Sequence, residues 1–235
     1  MTDMHIHILP GVDDGSSSWE ESLAMARCAE AEGITAMVCT PHMNAEEDDL
    51  EKLAEHTKIR EELQRRLKDE GVSLLLLGGA EWMLTPDLLD VVKKQGRLGE
   101  SRAFLFELSP FMPIAAAESL VQRAAAAGLL PVLAHPERHP WLNEKNASSL
   151  EGLAAQGCSF QLTAGSLAGE FGRDARRTGE AIALSFPERV ILATDAHHIH
   201  ARRPLLRAGY EALEKLRRGM AGKAESNLDN LLRSK

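Results

Sequence analysis

Short apolar runs alternate with amphipathic stretches along the whole chain. Thr2 to Ile8 predicts a first strand, with Asp13-Asp14-Gly15 as a turn behind it. Ser18 and Glu21 have the spacing of a capping box and open a helix ending near Gly33. Ile34 to Cys39 predicts the second strand. The acidic residues Glu46 to Asp49 suit the positive end of a helix dipole, and the helix they open runs to about Glu70, with Gly71 as its stop. Val72 to Gly78 predicts the third strand and Pro86 to Lys94 a short helix. Ala103 to Leu108 is the fourth strand, followed by a helix from about Ala115 to Ala127. Leu130 to Ala134 is the fifth, and a helix spans Ser148 to Ala155. Cys158 to Leu162 is the sixth, a helix lies near Asp174 to Ser185, and Arg189 to Thr194 is the seventh. Helices at about Pro204 to Arg218 and Gly222 to Leu232 close the chain. Strands alternating with helices predict βα units around a parallel sheet. No Gly/Ser-rich linker or break in composition divides the chain, so one domain over 1–235 is expected.

The 235 residues are 44% hydrophobic and 26% charged, the balance of an ordinary globular protein. No apolar run approaches the roughly 18 residues that cross a bilayer, so membrane insertion is not expected. Met1-Thr2-Asp3-Met4-His5-Ile6-His7 has no basic region followed by an apolar segment, unlike a secretory signal. The net charge of −8 comes without a basic block, which argues against nucleic acid as the main partner. Cys28, Cys39 and Cys158 are scattered and suit a reducing cytoplasm. A cysteine-nucleophile phosphatase needs Cys-x5-Arg. Here the matching positions are Ile34, Ala45 and Ala164, which excludes that chemistry.

The informative pattern is where metal-type side chains fall. His5 and His7 end the first strand, His42 follows the second and Glu81 the third. Glu107 ends the fourth strand, His135 the fifth, and Asp195 and His197 the seventh. In a parallel barrel all these ends point to one face, where such folds keep their active sites. Any one group has a bland explanation: His-x-His arises often by chance, and a strand-end carboxylate is usually solvated. Strand ends need no particular residue type for folding, so the conjunction points to a metal site. Imidazole plus carboxylate without thiolate suits Mn, Fe, Zn or Co better than Ca or Mg. With Asp13 and Asp14 the donors are numerous enough for two or three ions. Such clusters hold a bridging hydroxide at neutral pH and clamp a phosphoryl or carbonyl oxygen.

Taken in order, these residues resemble the PHP superfamily, the polymerase and histidinol phosphatase proteins. They are most similar to its manganese-dependent protein-tyrosine phosphatases of bacterial capsule and exopolysaccharide operons. The resemblance rests on Asp3-Met4-His5-Ile6-His7-Ile8-Leu9-Pro10-Gly11-Val12-Asp13-Asp14-Gly15, Thr40-Pro41-His42, Gly79-Ala80-Glu81, Phe106-Glu107, Ala134-His135-Pro136-Glu137-Arg138 and Thr194-Asp195-Ala196-His197. Thr163-Ala164-Gly165-Ser166 and Phe171-Gly172 extend it, so it covers essentially the whole chain. It implies a distorted (β/α)7 TIM-like barrel with a trinuclear centre at the carboxyl ends of the strands. His5, His7, Glu81 and Asp195 would surround one ion. Glu81, Glu107 and His135 would hold the second, and Asp14, His42 and His197 the third. Arg138 and Arg202 match arginines thought to meet the phosphate, with the adjoining Arg203 as the alternative to Arg202. The implied partner is a phosphotyrosine-bearing protein, a bacterial tyrosine autokinase of polysaccharide export. One departure follows His42, where Met43-Asn44-Ala45-Glu46-Glu47-Asp48-Asp49 is acidic instead of basic or aromatic.

The leading expectation is therefore phosphotyrosine hydrolysis by a metal-bound hydroxide. A phosphatase of a small monoester such as histidinol phosphate is the alternative that shares the ligands. A nuclease or proofreading module is disfavoured by the charge. A non-catalytic partner-binding barrel would be expected to lack ligands, and none is missing.

Overall fold

A computed structural model of the chain describes residues 1–45 and 49–235, with only the backbone described at 49 and 50. Glu46, Glu47 and Asp48, with the helix start expected there, lie outside the described residues. The strands are β1 (Thr2–Ile6), β2 (Ala36–Cys39), β3 (His42–Met43), β4 (Leu75–Gly78), β5 (Glu81–Met83), β6 (Ala103–Glu107), β7 (Leu130–Ala134), β8 (Ser159–Thr163) and β9 (Val190–Ala193). The helices are α1 (Trp19–Ala31), α2 (Asp49–Asp69), α3 (Leu88–Val92), α4 (Ala117–Ala126), α5 (Glu151–Ala155), α6 (Ala164–Ala168), α7 (Gly172–Ser185), α8 (Arg207–Leu216) and α9 (Met220–Leu232).

Every strand pairing is parallel, in one sheet of order β1-β2-β4 and another of order β3-β5-β6-β7-β8-β9. The two sheets are one surface. β2 resumes as β3 beyond Thr40-Pro41, and β4 resumes as β5 beyond Gly79-Ala80. Pro41 has no N–H to give a ladder, although its carbonyl accepts from Glu81 N at 3.0 Å. A side chain at Gly79 would lie 2.7 Å from Val38 Cγ1, so glycine permits the strands to approach at the second break. The ring closes where His7 N donates to Ala196 O and Asp195 N to His5 O, both at 2.9 Å. The result is the distorted (β/α)7 barrel: β1, β2–β3, β4–β5, β6, β7, β8 and β9 stand in chain order around one axis.

Alternation along the strands sorts the core into an inside and an outside. Ala103, Leu105, Val132, Ala134, Ile191 and Ala193 pack with Met4 and Val38 in one buried cluster within the ring. Phe104, Phe106, Leu133, Phe160 and Leu192 belong to the larger cluster between strands and helices. Leu228 and Leu231 of α9 join the inner cluster, and Asn227 Nδ2 donates to Pro187 O and Val190 O. Arg102 N, just before β6, donates to Ser234 O. α9 therefore closes the mouth at the strands' amino ends.

The expected elements are all present, with ends displaced by a few residues. The capping box is half formed. Ser18 Oγ accepts from Glu21 N, but the Glu21 carboxylate turns to Ser17 N and Oγ. α6 is a helix the pattern did not predict. Its small residues let α8 approach so closely that a side chain at Gly209 would meet Ala164 at 2.7 Å. Among the described residues, no helix is long and apolar enough to cross a membrane.

Candidate metal centre

The site begins with an irregularity in β1. Asp3 pairs with Met37 and Ile6 with Cys39, so three steps on β1 face two on β2. That extra residue is a bulge, and it shifts the alternation by one. Met4 belongs to the inner cluster, whereas Ile6 faces the helices. His5 and His7 thereby face the carboxyl mouth instead of the outer layer. Asp3, fully buried below them, accepts from Thr194 N and Oγ1 and ties β1 to the strand that carries Asp195. Burial raises the Asp3 pKa to about 6.

The chain then turns back on itself. A side chain at Gly15 would lie 2.3 Å from His7 O, so only glycine lets the Asp13-Asp14 turn pack there. Asp13 Oδ2 accepts from His7 Nδ1 at 2.7 Å and from His42 N at 3.1 Å, while its Oδ1 accepts from Gly15 N. Burial opposes this carboxylate, but His7 outweighs it and the pKa falls to about 2. Gln161 plays the matching part for His5. Its Oε1 lies 2.9 Å from His5 Nδ1 and accepts from His135 N at 3.2 Å. The backbone donor fixes the amide oxygen, so His5 Nδ1 carries a proton and Nε2 presents a lone pair. Asp13 sets the same tautomer on His7.

Those two Nε2 atoms are 3.1 Å apart. His5 Nε2 is 3.1 Å from Glu81 Oε2 and 3.3 Å from Asp195 Oδ1; His7 Nε2 is 3.2 Å and 3.4 Å from the same atoms. With both rings neutral, two imidazole lone pairs and two carboxylate oxygens thus converge with no donor between them. Glu81 Oε2, Asp195 Oδ1 and His197 Nε2 are buried without a hydrogen-bond partner. Such convergence is costly unless positive charge sits at its centre. Donors bonded at about 2.1 Å to one ion and at right angles lie ~3.0 Å apart, close to these separations. The residues therefore fit a divalent cation.

Two further groups adjoin the first. His42 Nδ1 is 3.2 Å from Glu81 Oε2 and 3.1 Å from Glu107 Oε1. His135 Nε2 lies 2.8 Å from Glu81 Oε1 and 3.8 Å from Glu107 Oε2. His42 Nε2 and His197 Nε2 are 3.4 and 3.3 Å from Asp14 Oδ1, and the group of donors within 4.8 Å of one another there includes His7. The groups share members, and two differ from the expected partition: His42 stands with Glu81 and Glu107 where His135 was expected, and His7 joins the Asp14 group.

The electrostatics agree. Burial would raise Glu81 and Asp195, but His5 in particular holds both far below the usual carboxylate range. Burial works against charge on His5, His7 and His42, yet the surrounding carboxylates raise all three. His197 goes the other way: burial and then His7 lower it to about 3, leaving a neutral ring. A site that raises its imidazoles in this way attracts positive charge, and a metal ion meets the same field.

Arg138 and Arg202 both reach the mouth. Each gives Nη2 to Asp195 Oδ2, Arg202 at 2.6 Å, and each leaves a buried Nε without an acceptor. The Arg138 guanidinium lies 5.0 Å over the Phe171 ring. Beneath it Glu137 accepts from Thr163 N, anchoring the turn that follows β7. His135, Asp195 and Arg202 all have left-handed backbones, at φ 32°, 51° and 52°. Non-glycine residues bear that conformation at a cost of about 1–3 kcal/mol each, and it collects at functional sites. Asp13's and Gln161's orienting roles were missed in the sequence. A lone Gln between Phe160 and Leu162 was the one available signal for the second.

Residues 1–228 match the family model described as capsular polysaccharide synthesis, CpsB/CapC. The tyrosine-protein phosphatase YwqE of Bacillus subtilis is 35% identical over 222 residues, covering 92% of this chain and 84% of that protein. The tyrosine-protein phosphatase CpsB of Streptococcus pneumoniae is 29% identical over 223 residues, covering 92% and 90%. One of the crystal structures of these two metal-dependent tyrosine phosphatases superposes with a TM-score of 0.87 at 29% identity, covering 100% of this chain and 95% of that one. A TatD-family hydrolase of Entamoeba histolytica, 11% identical with a TM-score of 0.61, covering 100% and 98%, shares the fold alone.

Proposed function

The chain belongs to the CpsB/CapC family of capsular polysaccharide synthesis, and from that premise we propose that it is a metal-dependent protein-tyrosine phosphatase. The observation that carries this reading is the meeting, on one barrel mouth, of unpartnered carboxylate and imidazole acceptors with two guanidiniums. The relatives YwqE and CpsB support it.

The ligands we infer are His5, His7, Asp14, His42, Glu81, Glu107, His135, Asp195 and His197. Their mixture of imidazole and carboxylate, free of thiolate, suits manganese, iron, zinc or cobalt, and manganese is the ion we infer. Bound divalent ions would supply Lewis acidity toward phosphoryl oxygens and lower the pKa of water. Asp13 and Gln161 hold His5 and His7 in the tautomer that keeps Nε2 free. Arg138 and Arg202 neutralise the phosphoryl oxygens, which compete with Asp195 Oδ2 for the two guanidiniums. Phenolate, with a pKa near 10, leaves with little acid assistance. Cys39 and Cys158 take no part: burial pushes both thiols up to about 12.

The substrate we infer is the phosphorylated tail of a bacterial tyrosine kinase in polysaccharide production, a reading supported by the family's role in capsule synthesis. Three free cysteines support a cytoplasmic setting, and closure of the ring between β1 and β9 supports one domain over 1–235. Exhaustive chelation, verified by elemental analysis, is expected to abolish release of phosphate from a phosphotyrosine peptide, with manganese restoring it best. Turnover that persists with no metal left would overturn the proposal.

A further inference from the structure

Next to the metal-type cluster lies a cavity of about 220 Å3 whose walls differ in character from the cluster itself. Glu107, His135 and Arg138 form its edge toward the cluster. The rest is apolar or nearly so, including Leu108, Pro110, Ile114, Leu133 and Pro136. Two loops make the outer wall, one after β6 and one after β7, and they are tied together. His139 Nε2 lies 3.2 Å from Ser109 O, and Trp141 Nε1 donates to Pro110 O at 3.2 Å. Trp141 N donates to His139 Nδ1, so His139 is neutral with its proton on Nε2, the tautomer that both contacts require. The rim carries Phe111, 89% exposed, and Trp141, 56% exposed.

We propose that this cavity seats the aromatic ring of a phosphotyrosyl substrate, with Phe111 and Trp141 against the peptide residues that flank it. This inference rests on the phosphatase reading and adds the source of its selectivity. The volume suits a ring, since an apolar cavity of about 150 Å3 accepts benzene. The position suits it as well: a phosphoryl group at the cluster leaves its ester substituent beside Glu107 and Arg138, where the apolar wall begins. The alternatives fit worse. A phosphoserine side chain leaves the cavity unfilled. An alkylammonium, as in an amino-alcohol phosphate, finds one carboxylate in the lining, Glu107, which already faces His42 and His135.

The test uses the metal-loaded enzyme and two pairs of probes. Phenylphosphonate should inhibit at least tenfold more strongly than methylphosphonate, because only the ring reaches the apolar wall. Ile114→Trp should fill the cavity and lower the ratio of kcat/KM for phenyl phosphate to that for glycerol 2-phosphate at least tenfold, mainly through KM. Phe111→Ser and Trp141→Ser should raise KM for a phosphotyrosine peptide several-fold. Equal inhibition by the two phosphonates overturns the inference without any variant having to fold. So does a folded Ile114→Trp enzyme with the parental ratio. If the parent hydrolyses neither phenyl phosphate nor phosphotyrosine peptide, the phosphatase reading itself fails, which is a separate outcome.

Discussion

The two mouths of the barrel are built on opposite terms. At the amino ends, α9 covers the ring, Leu228 and Leu231 complete its apolar interior, and Asn227 caps two backbone carbonyls. At the carboxyl ends, buried carboxylate and imidazole atoms face one another unpartnered, and His135, Asp195 and Arg202 hold left-handed backbones. One end satisfies its groups within the chain; the other leaves acceptors for something from outside. Stability and chemistry are thereby separated along one axis, and substitutions at the two ends should fail in different ways.

The largest effect is expected from Glu81→Ala. Its Oε2 lies against His5, His7 and His42, and Oε1 against His135. It is the carboxylate common to two donor groups. The variant should lose more than one equivalent of metal, and its kcat/KM should fall by ~1,000-fold or more, about 4 kcal/mol. Full occupancy by elemental analysis would remove Glu81 from its bridging position. The reverse pattern belongs to Leu228→Ala at the other mouth. Truncating a fully packed leucine costs roughly 2–5 kcal/mol of stability. Chemical denaturation should show that loss, while metal content and kcat/KM stay parental in the folded protein. A variant that lost metal in proportion to stability would show that the ends are coupled after all.

Arg138→Ala and Arg202→Ala come next. Both guanidiniums meet Asp195 Oδ2, so one still orients that carboxylate when the other is removed, and each variant should keep fold and metal. For aryl phosphate, kcat/KM should fall ten- to a thousandfold, roughly 1.4–4 kcal/mol. Lysine should restore only part, since it offers a point charge without the fork. Unchanged kinetics in both alanine variants would leave phosphate recognition to the metals.

Much of this contrast was legible in the chain. A strand end tolerates any residue, so His, Asp and Glu recurring at those ends carried information that packing alone does not require. The βα alternation was legible for the same reason in reverse, because burial dictates it. What stayed hidden depends on registration and not on residue type. The bulge between Asp3 and Ile6 is one residue of slippage, and nothing in Asp3-Met4-His5-Ile6 announces it. β3 and β5 are too short to show a period, although Pro41 and Gly79-Ala80 mark the breaks before them. The Arg138–Asp195 contact joins the ends of different strands, a closeness that appears only once the ring is closed.

The smallest predicted effect tests the hidden part most directly. Asp13→Asn changes one atom and no volume. Asp13 serves three donors, Gly15 N on Oδ1 and both His7 Nδ1 and His42 N on Oδ2, and asparagine offers a single acceptor oxygen. With that oxygen on Gly15 N, the amide nitrogen faces the His7 ring and the backbone donor of His42. The ring relieves its part of the clash by moving its proton to Nε2, which puts a hydrogen where Glu81, Asp195 and His5 Nε2 converge. His7 then has no lone pair to offer toward the cluster. Replacing such orienting partners typically weakens metal binding by about 10–100-fold. Chelator competition should therefore show a loss in that range with the fold intact, and nitrogen-detected NMR of the metal-free protein, at a pH high enough to leave His7 neutral, should show the His7 proton exchanged from Nδ1 to Nε2. Parental affinity with the proton moved would mean that His7 is a spectator of the cluster; parental affinity with the proton unmoved would mean that the negative charge of Asp13 is not what holds the tautomer.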